Sequence, residues 1–448
     1  MEPLREYIFF WGCVIPARFP FIEKSTRLLL DRLGVRFREV DGFTCCPEKF
    51  FVETFSKEAW YLTAARNLAL AEAAGGDLLV ACNGCYSTFR SAIRDFYSSS
   101  ELRREVTNKL AGIGLEYNFR SGVRHLVDLL HDNIGPEVIE RKVIRSLEGM
   151  RVGVHYGCQF LRPSPSASLD DPARPGKLDR LVESLGATSL DYYSKQMCCG
   201  ESLRRSGNPK DSMAAARVKL LELDEMGADA MVVVCPACFM QFDVNQNLVQ
   251  KQREGLSIPV FYLTELMGIA LGIDPTEMAL DMHRVDTRGF FARLEELEGI
   301  RLKIPAEFDL RSMRTCVTCE SCANDCPVSQ VDDSFVPHEV IRRVLSGDVE
   351  GLFNGPDIWK CLECGTCQEL CPNSFGMIRV FKQAKRMALE RGIAPPETVQ
   401  GIEMFKKTGV LGKAKDRTRT RLGLSPAPAS ADPEEISRLL WGITEGKE

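Results

Sequence analysis

Leu79-Val80-Ala81-Cys82-Asn83-Gly84-Cys85 is the stretch that decides the fold. A short apolar run leads directly into two cysteines separated by two residues, and the arrangement returns as Val233-Val234-Cys235-Pro236-Ala237-Cys238. A short apolar run is typical of a buried strand, and the residues directly after such strands are where α/β folds commonly build sites. The recurrence predicts two α/β units of similar structure, each with thiols at the end of a strand.

The repeat extends over most of the first 280 residues. Cys45-Cys46 returns 153 residues later as Cys198-Cys199, whereas Cys13 returns 145 residues later as Cys158. The second copy therefore carries eight extra residues after its first cysteine, and the Pro/Ser-rich run 162–177 is the natural place for them. We expect two similar halves related by a pseudo-twofold axis.

Short apolar runs alternate with helical patterns in each half, which predicts tandem α/β domains with mostly parallel sheets. The expected strands are Tyr7–Trp11, Val35–Val40, Leu78–Ala81, Arg151–His155, Ser189–Tyr193 and Ala230–Val234. Glu58–Ala74 and Ser212–Met226 are expected to be equivalent helices, each followed by glycine. The first domain is expected to cover residues 1–148 and the second residues 149–280.

Strand-like runs vanish after about residue 280, and helical periodicity dominates. Val336–Ser346 and Met377–Arg391 are expected to be helices, because each has a glycine just past its end. We therefore expect a mainly helical ferredoxin-like domain over residues 281–424. Ser425–Pro433 is typical of a flexible linker, so residues 425–448 are expected to form a linker and a short terminal helix.

The composition is that of an ordinary globular protein except for its cysteines. The chain has 448 residues, 44% of them hydrophobic, and a net charge of −5, which excludes a globally basic nucleic-acid binder. No apolar stretch approaches the ~20 residues that span a bilayer, and the N-terminus lacks the apolar region of a signal peptide. In a chain expected to be cytoplasmic, 18 cysteines indicate metal or redox centres instead of a disulfide framework.

Two cysteine runs near the C-terminus share the spacing C-x2-C-x2-C-x3-C-P. In two-cluster bacterial ferredoxins the first three thiolates of such a run bind one cluster, and the fourth binds the neighbouring cluster. The sequence therefore predicts two cubane [4Fe–4S] clusters. The two ligand sets are Cys316, Cys319, Cys322 and Cys371, and Cys361, Cys364, Cys367 and Cys326. A pair of structural zinc sites is the alternative.

Each α/β half offers five thiols, one more than a cubane cluster needs. They are Cys13, Cys45, Cys46, Cys82 and Cys85 in the first half, and Cys158, Cys198, Cys199, Cys235 and Cys238 in the second. Adjacent cysteines cannot easily place both sulfurs on separate corners of a cube, so the vicinal pair suggests an unusual cluster in which a thiolate bridges irons. A zinc site in the first half and a redox disulfide in either half are the alternatives.

The patterns C-x31-CC-x35-C-x2-C and C-x39-CC-x35-C-x2-C resemble the paired CCG domains of the B-type polypeptide of heterodisulfide reductase. The doubled ferredoxin motif that follows resembles the C-type polypeptide of the same enzyme, so the likeness covers nearly the whole chain as a B–C fusion in that order. One departure is Pro47, where the motif has glycine. The resemblance implies two noncubane [4Fe–4S] clusters, one per half, that face a shared cleft. It also implies reductive cleavage of the coenzyme M–coenzyme B disulfide of methanogenesis.

The same resemblance implies roles and partners. It implies that the vicinal pairs, Cys45-Cys46 and Cys198-Cys199, are the catalytic positions. It also implies that the electron donor is a flavoprotein resembling the A-type polypeptide of heterodisulfide reductase. Donor and acceptor would belong to an electron-bifurcating complex with a hydrogenase or formate dehydrogenase. Neither a dinucleotide fingerprint nor a Walker A run is present, so we expect no flavin or nucleotide on this chain. The alternative is a CCG-type electron-transfer protein that acts on another disulfide, an organic acid or a redox partner.

Other polar residues have ordinary explanations beside functional ones. His155, on a predicted strand near the second cysteine group, is expected to be a core histidine, with a hydrogen bond or proton donor near the cluster as the alternative. Glu48 and Glu201 follow the two Cys-Cys turns, where helix-start carboxylates are common. Lys195 is expected to be solvated, with pairing to a substrate anion as the alternative. The basic segment Lys406–Arg421 lacks aromatic residues, so we expect a solvated or partner-docking face and no nucleic-acid binding.

Overall fold

In the computed structural model the chain divides into two compact units, the first ending at Leu297 and the second beginning at Glu298. The structure describes residues 7–163, 169–250, 255–316, 319–355, 357–412 and 415–427, together with 432, 434, 435 and 438. The expected linker and terminal helix over 425–448 lie largely outside these residues. Within the described part, no helix combines the length and the apolar character needed to cross a membrane.

Eight strands of the first unit form two four-stranded sheets that are parallel throughout. The strands are β1 (Tyr7–Phe10), β2 (Phe37–Arg38), β3 (Leu78–Val80), β4 (Val123–His125), β5 (Arg151–His155), β6 (Thr188–Leu190), β7 (Ala230–Val233) and β8 (Val260–Tyr262). The order is β2-β1-β3-β4 in one sheet and β6-β5-β7-β8 in the other. The predicted repeat of parallel α/β units is therefore confirmed.

The sheets share their register as well as their order. Phe10 pairs with Val80 in the first sheet, and its equivalent His155 pairs with Val233 in the second. The sequence predicted six strands and missed β4 and β8. Strand β4 has the polar sequence Val-Arg-His, so it shows no apolar run, and β8 leads directly into the apolar helix that begins at Leu263, so it does not stand out as a separate run.

Helices of the first unit connect the strands and flank them. They are α1 (Val14–Arg18), α2 (Pro20–Leu33), α3 (Val52–Phe55), α4 (Lys57–Ala73), α5 (Asn83–Ser98), α6 (Ser100–Ala111), α7 (Leu126–Asp128), α8 (Pro136–Glu140), α9 (Cys158–Leu161), α10 (Lys177–Ser184), α11 (Glu201–Arg205), α12 (Pro209–Glu225), α13 (Pro236–Phe239), α14 (Gln246–Gln250), α15 (Leu263–Ala270) and α16 (Arg288–Arg301). The expected equivalent pair appears as α4 and α12. Helix α4 begins where the Ser56 hydroxyl accepts a hydrogen bond from the Ala59 N–H, whereas α12 begins with Pro209.

One hydrophobic core runs through both halves of the first unit. Central strand residues such as Leu79 and Val232 are fully buried, as expected for parallel strands covered on both faces. The core also takes in Phe290 and Leu294 of α16, so the first unit extends beyond residue 280, where the sequence placed the boundary. Local pattern could not indicate this, because the apolar spacing of α16 fits either unit.

The second unit is helical throughout the residues that the structure describes. Its helices are α17 (Leu310–Met313), α18 (Ser321–Asn324), α19 (Pro337–Leu345), α20 (Val349–Asn354), α21 (Asp357–Lys360), α22 (Thr366–Glu369), α23 (Met377–Glu390), α24 (Pro396–Thr408) and α25 (Asp416–Arg421). The two helices predicted in this region appear as α19 and α23. Their apolar faces meet in a core that includes Val344, Phe353 and Phe381. The predicted change from α/β to helical structure is confirmed.

Candidate functional site

All ten cysteines of the two repeats line one pocket of the first unit. Its volume is about 1010 Å³. The thiols in its walls are Cys13, Cys45, Cys46, Cys82, Cys85, Cys158, Cys198, Cys199, Cys235 and Cys238. Because each half contributes five of them, the cleft that the sequence led us to expect lies between the halves.

The strand order explains why these thiols converge. In each sheet the first strand has the second on one side and the third on the other, which opens a crevice at the carboxyl ends. Cys13 lies just beyond the end of β1. Cys82 follows β3 and precedes α5, whose first turn holds Cys85. Strands β5 and β7 and helix α13 repeat this arrangement, so both cysteine sets lie at a topological switch point.

Two glycines let the backbone approach the thiols closely. Gly12 and Gly157 have φ of 71° and 79°, in the left-handed region that favours glycine. A Cβ added at Gly12 would lie 3.1 Å from Cys85 Sγ, and one added at Gly157 would lie 3.5 Å from Cys238 Sγ. A side chain at Gly12 would press on the Cys85 thiol, and one at Gly157 would come within 2.7 Å of Asn83 Nδ2. Either would also strain the loop that leaves the strand.

Sulfur–sulfur contacts repeat from one half to the other. Cys13 Sγ and Cys45 Sγ are 3.6 Å apart, and the equivalent Cys158 and Cys198 are also 3.6 Å apart. All eighteen cysteines belong to the described part of the chain, and none is joined in a disulfide. The redox disulfide considered from the sequence is therefore absent from this structure.

Contact among the thiols separates their pKa values. Hydrogen bonds from Cys45 and Cys85 lower the pKa of Cys46 to about 6. Hydrogen bonds from neighbouring thiols, Cys158 foremost, lower the pKa of Cys198 well below its ordinary value. Each half thus contains a thiol that ionises readily, and the thiolate is the form that binds metal.

The pseudo-twofold axis passes through the pocket. Cys82 and Cys235 are equivalent residues of the two halves, and their thiols hydrogen-bond to each other. Equivalent residues can touch in this way only where the symmetry axis runs between them. Asn83 Nδ2 donates across the same boundary to the Tyr156 carbonyl at 2.8 Å, so the two halves are joined at the pocket floor.

His155 is both a core residue and a neighbour of the second cysteine set. It is fully buried, and its ring meets Phe242 edge-on at a centroid distance of 4.9 Å. Its Nε2 lies 3.3 Å from Cys238 Sγ. Burial lowers the pKa of His155 to about 3, so the imidazole is neutral at ordinary pH. His155 is therefore both a core histidine and a hydrogen-bonding neighbour of the second cysteine set, which were the two interpretations that the sequence offered.

Charged residues at the pocket come from both halves. Arg205 Nη1 lies 3.6 Å from Glu48 Oε2 and 3.8 Å from Glu201 Oε2. Gln159 Nε2 donates to Glu48 Oε1 at 3.2 Å, and the Arg205 guanidinium lies 4.1 Å from the Phe51 ring centroid. Burial raises the pKa of Glu201. The symmetric glutamates noticed in the sequence therefore do meet, whereas Arg205, one helical turn after Glu201, was missed.

Lys195 does not take part in this pocket. Its Nζ pairs with Asp179 Oδ1 at 2.5 Å, and the residue is absent from the pocket walls. The expectation of a solvated lysine is wrong, because the Lys195 side chain is only 13% exposed and is paired. The alternative of a substrate anion at Lys195 is not supported either. Lys406–Arg421 is mostly exposed where the structure describes it, and its docking role stays a prediction.

In the second unit, each ferredoxin-type run shares a pocket with the last cysteine of the other run. One pocket of about 400 Å³ is lined by Cys316, Cys319, Cys322 and Cys371. The other, of about 360 Å³, is lined by Cys361, Cys364, Cys367 and Cys326. Cys367 borders both pockets, and His338 Nδ1, which the sequence did not single out, lies 3.6 Å from Cys322 Sγ. The structure thus brings together the crossed sets that the spacing predicted.

The donor sets of both units suit iron–sulfur chemistry. Each half of the first unit offers five sulfur atoms, and each crossed cysteine set of the second unit offers four. Thiolates are soft ligands that bind iron–sulfur clusters and zinc well, and hard oxygen-preferring cations poorly. The orientation of His155 toward Cys238 adds a hydrogen-bond donor to a sulfur, a common feature around such clusters.

Comparison with known proteins agrees with this geometry. The profile of the cysteine-rich domain, CCG, matches residues 7–90 and 152–243, and that of the 4Fe-4S dicluster domain matches residues 312–375. The B polypeptide of the Ferredoxin/F(420)H(2)-dependent CoB-CoM heterodisulfide reductase of Methanosarcina acetivorans is 36% identical over 295 residues. These residues are 65% of this chain and 98% of the relative. The chain belongs to the heterodisulfide reductase B family. It is an iron–sulfur protein of that family.

The C-terminal part has its own likeness. The C2 polypeptide of the H(2)/formate:CoB-CoM heterodisulfide,ferredoxin reductase of Methanococcus maripaludis is 26% identical over 125 residues, 28% of this chain and 67% of the relative. A B-type part followed by a C-type part confirms the fusion predicted from the motifs. A crystal structure of a hypothetical protein from Helicobacter pylori aligns with a TM-score of 0.52 and 17% identity over 64% of this chain and 53% of that one. That likeness concerns the fold alone.

Proposed function

We propose that this member of the heterodisulfide reductase family reductively cleaves a heterodisulfide of the coenzyme M–coenzyme B type to two thiols. The observation that supports this most is the single pocket with five thiols from each half in its walls. A disulfide that enters the pocket lies between two sets of iron ligands. The relative from Methanosarcina acetivorans is named for a reaction of this kind.

Two noncubane [4Fe–4S] clusters are assigned to the pocket, one per half. Together they supply the two electrons that disulfide reduction requires. We assign the vicinal cysteines as the catalytic positions because each pair has one exposed and one buried thiol. Cys45 and Cys198 are exposed, whereas Cys46 and Cys199 are buried. The arrangement lets each pair contact both the cluster and the substrate side of the pocket.

The pocket also contains carboxyl groups that can donate the protons that the reaction consumes. The balanced reaction, RSSR′ + 2e⁻ + 2H⁺ → RSH + R′SH, consumes two protons. Glu48 and Glu201, one from each half, are the carboxyl groups in the pocket walls, and we assign them as proton donors to the product thiolates. Arg205 pairs with both carboxyl groups and orients them. Trp11 and Phe51 form an apolar part of the pocket wall, which restricts the entry of water.

The second unit is proposed to relay electrons through two cubane [4Fe–4S] clusters. Its crossed cysteine sets, and the absence of a nucleotide-binding motif from the sequence, support a chain that receives single electrons from another protein. We propose a flavoprotein resembling the A-type polypeptide of heterodisulfide reductase as the donor, within a cytoplasmic electron-bifurcating complex that contains a hydrogenase or formate dehydrogenase. The exposed basic segment Lys406–Arg421 is the candidate docking face.

The proposal is tested with anaerobically purified full chain, reduced through a viologen dye and given the heterodisulfide. Two thiols are expected for each disulfide consumed. Cys45→Ala combined with Cys46→Ala should abolish cleavage, because only one half can then deliver an electron. Cys322→Ser is the matched control, since it alters a ligand in the second unit and should leave dye-driven cleavage in place.

Iron and sulfide analysis should find about sixteen irons, from four [4Fe–4S] clusters. About eight irons with stoichiometric zinc would contradict the assignment in the α/β halves. Equal loss of dye-driven cleavage in Cys322→Ser, with the α/β clusters intact, would contradict the division between relay and reaction. A fully loaded chain that transfers electrons but cleaves no disulfide is an electron-transfer protein instead.

A further inference from the structure

The two halves of the pocket share a frame but differ at three positions beside the cysteines. The first is the last residue of the central strand, Phe10 in β1 and His155 in β5. A Cβ added at Gly12 would lie 3.8 Å from the Phe10 ring, and one added at Gly157 would lie 3.8 Å from His155 Nε2, so the two rings occupy the same place. Only His155 can donate a hydrogen bond.

The hydrogen bond of His155 has a defined direction. A metal-bound thiolate sulfur only accepts hydrogen bonds, so Nε2, 3.3 Å from Cys238 Sγ, carries the proton of the neutral ring. The other ring nitrogen, Nδ1, is then the acceptor, and it has no partner in the part of the chain that the structure describes. In the first half the phenyl ring of Phe10, which has no hydrogen-bond donor, takes the place of this imidazole.

The second position follows the vicinal pair. The Gly200 N–H points at Cys198 Sγ with an N···S distance of 3.5 Å. Its equivalent is Pro47, which has no N–H and cannot donate to Cys45. A second hydrogen bond to sulfur is therefore present in the second half and impossible at the same position of the first.

The third position lies on the equivalent helices α4 and α12. Asn67 and Lys219 each come eleven residues after the N-cap of their helix, and both side chains are buried. The Asn67 amide donates to the Cys45 carbonyl at 3.0 Å, whereas Lys219 Nζ donates to the Ser194 carbonyl and lies 4.9 Å from the Tyr192 ring centroid. A neutral amide thus stands in one half, and in the other a lysine whose pKa is lowered by burial to about 7, so that it carries its positive charge fully only below that pH.

We propose that the second-half cysteines hold their cluster at a higher reduction potential than the first-half cysteines hold theirs. Hydrogen bonds to sulfur and nearby positive charge stabilise the reduced cluster, which carries one more negative charge. All three differences stabilise the reduced state of the cluster in the second half more than that in the first. The inference rests on the proposed assignment of one cluster to each half. The first electron from the flavoprotein donor then settles in the second half, and the second electron in the first half, so the two halves act unequally on the disulfide.

The potentials are measured without substrate, by redox titration of the anaerobic full chain followed by electron paramagnetic resonance. Cys45→Ala with Cys46→Ala leaves the second-half cluster as the one remaining in the first unit, and Cys198→Ala with Cys199→Ala leaves the first-half cluster there. The clusters of the second unit are common to both chains and serve as an internal reference. The second-half cluster should titrate at the higher potential. A tenfold difference in the ratio of reduced to oxidised cluster corresponds to 59 mV for one electron.

Exchange of the two rings tests the cause. His155→Phe should lower the potential of the second-half cluster, and Phe10→His should raise that of the first. Lys219→Met should lower the second-half potential independently of the ring. His283→Gln, which removes another buried histidine, is the control and should shift neither potential. Iron content and thermal unfolding of each variant show whether packing alone has changed.

Equal potentials for the first-unit cluster in the two double variants would overturn the proposal, as would a higher potential in the first half. Unchanged potentials in iron-loaded His155→Phe and Phe10→His would also overturn it. If His155→Phe fails to retain iron, Phe10→His and Lys219→Met decide the matter. Failure to cleave a disulfide leaves this result intact, because no substrate is present during the titration.

Discussion

Pro47 shows how one residue can disturb a repeated turn. Gly200, its equivalent, has a φ of 82°, in the region that glycine reaches without strain. Pro47 is held at a φ of 28°, although its ring favours about −65°. The five cysteines of the first half still reach the pocket, so the surrounding structure imposes the turn despite the strain.

Pro47→Gly should therefore stabilise the chain. Relief of backbone strain contributes about 1–3 kcal/mol, and the greater freedom of glycine in the unfolded chain offsets about 0.4–1 kcal/mol of it. Denaturant unfolding of the iron-loaded chain under anaerobic conditions measures the difference. Pro395→Gly is the control: its φ of −58° suits proline, so that change should destabilise. A loss of stability in Pro47→Gly would show that the turn is not strained.

Close packing of helix on strand sets the position of the second cysteine set. Gly153 in β5 faces Leu223 of α12, and a Cβ added there would lie 2.5 Å from Leu223 Cδ2. The same helix carries Ala215, which a Cβ added at Gly200 would approach to 2.8 Å. The approach of α12 to the sheet and to the Cys-Cys-Gly turn therefore depends on these two glycines.

Gly153→Ala should destabilise the first unit by about 1–3 kcal/mol, because the added methyl group overpacks a fully buried contact. Gly299→Ala is the matched control, since nothing lies within 4 Å of its Cβ position in helix α16, and it should stabilise by about 0.5–1 kcal/mol. Chemical denaturation of both variants gives the comparison. The double variant Gly153→Ala with Leu223→Ala should lose less stability than the sum of the two single losses, because truncation of the fully buried Leu223 makes room for the added methyl group. Strictly additive losses would argue against this contact as the cause.

Crossed ligation in the second unit makes a prediction about pairs of cysteines. Cys371→Ala and Cys319→Ala should each remove the same cluster, so the double variant should hold no less iron than either single variant. Cys371→Ala with Cys364→Ala should remove both clusters, because Cys364 lines the other pocket. Iron analysis and electron paramagnetic resonance distinguish the cases. The reverse pattern of losses would mean that each run binds its own cluster.

At the scale of the whole first unit, a buried ion pair of the second half lies where the two halves meet. His283 Nε2 lies 3.1 Å from Glu265 Oε1, and both side chains are almost completely buried. The His283 ring packs on Phe21 of the first half and on Phe239 of the second, at centroid distances of 5.2 and 5.1 Å. Although burial alone lowers it, the charge and hydrogen bond of Glu265 raise the pKa of His283 above its ordinary value.

This pair should make stability depend on pH. Because the pKa of His283 is higher in the folded chain than in the unfolded chain, the ion pair stabilises the fold fully at a pH below the unfolded pKa of about 6.5. This contribution is lost as the pH rises through the folded pKa. The free energy of unfolding should therefore fall from about pH 6 to about pH 9 more steeply in the native chain than in Glu265→Gln. Asp286→Asn, which breaks an exposed pair with Arg288, should leave the slope over this range unchanged. Equal slopes in the native chain and Glu265→Gln would contradict the assignment.

The sequence by itself determined the repeat, the parallel α/β class, the helical second unit and the grouping of the cysteines. These features depend on spacing and on local apolar periodicity, which are visible along the chain. The central strands were predicted for the same reason, whereas β4 was missed because it contains no apolar run and β8 because it merges with the apolar helix that follows it.

Only the tertiary structure decided what the two halves do together. The contact between Cys82 and Cys235, the place of Arg205 beside Glu48, and the packing of Phe290 and Leu294 on the core of the first unit all join residues that are distant in sequence. Such contacts depend on how packed elements fit around one core, which a local pattern does not encode. The unequal surroundings of Cys85 and Cys238 belong to the same class: Phe10 and His155 are both ordinary strand residues until the fold places each ring against a thiol.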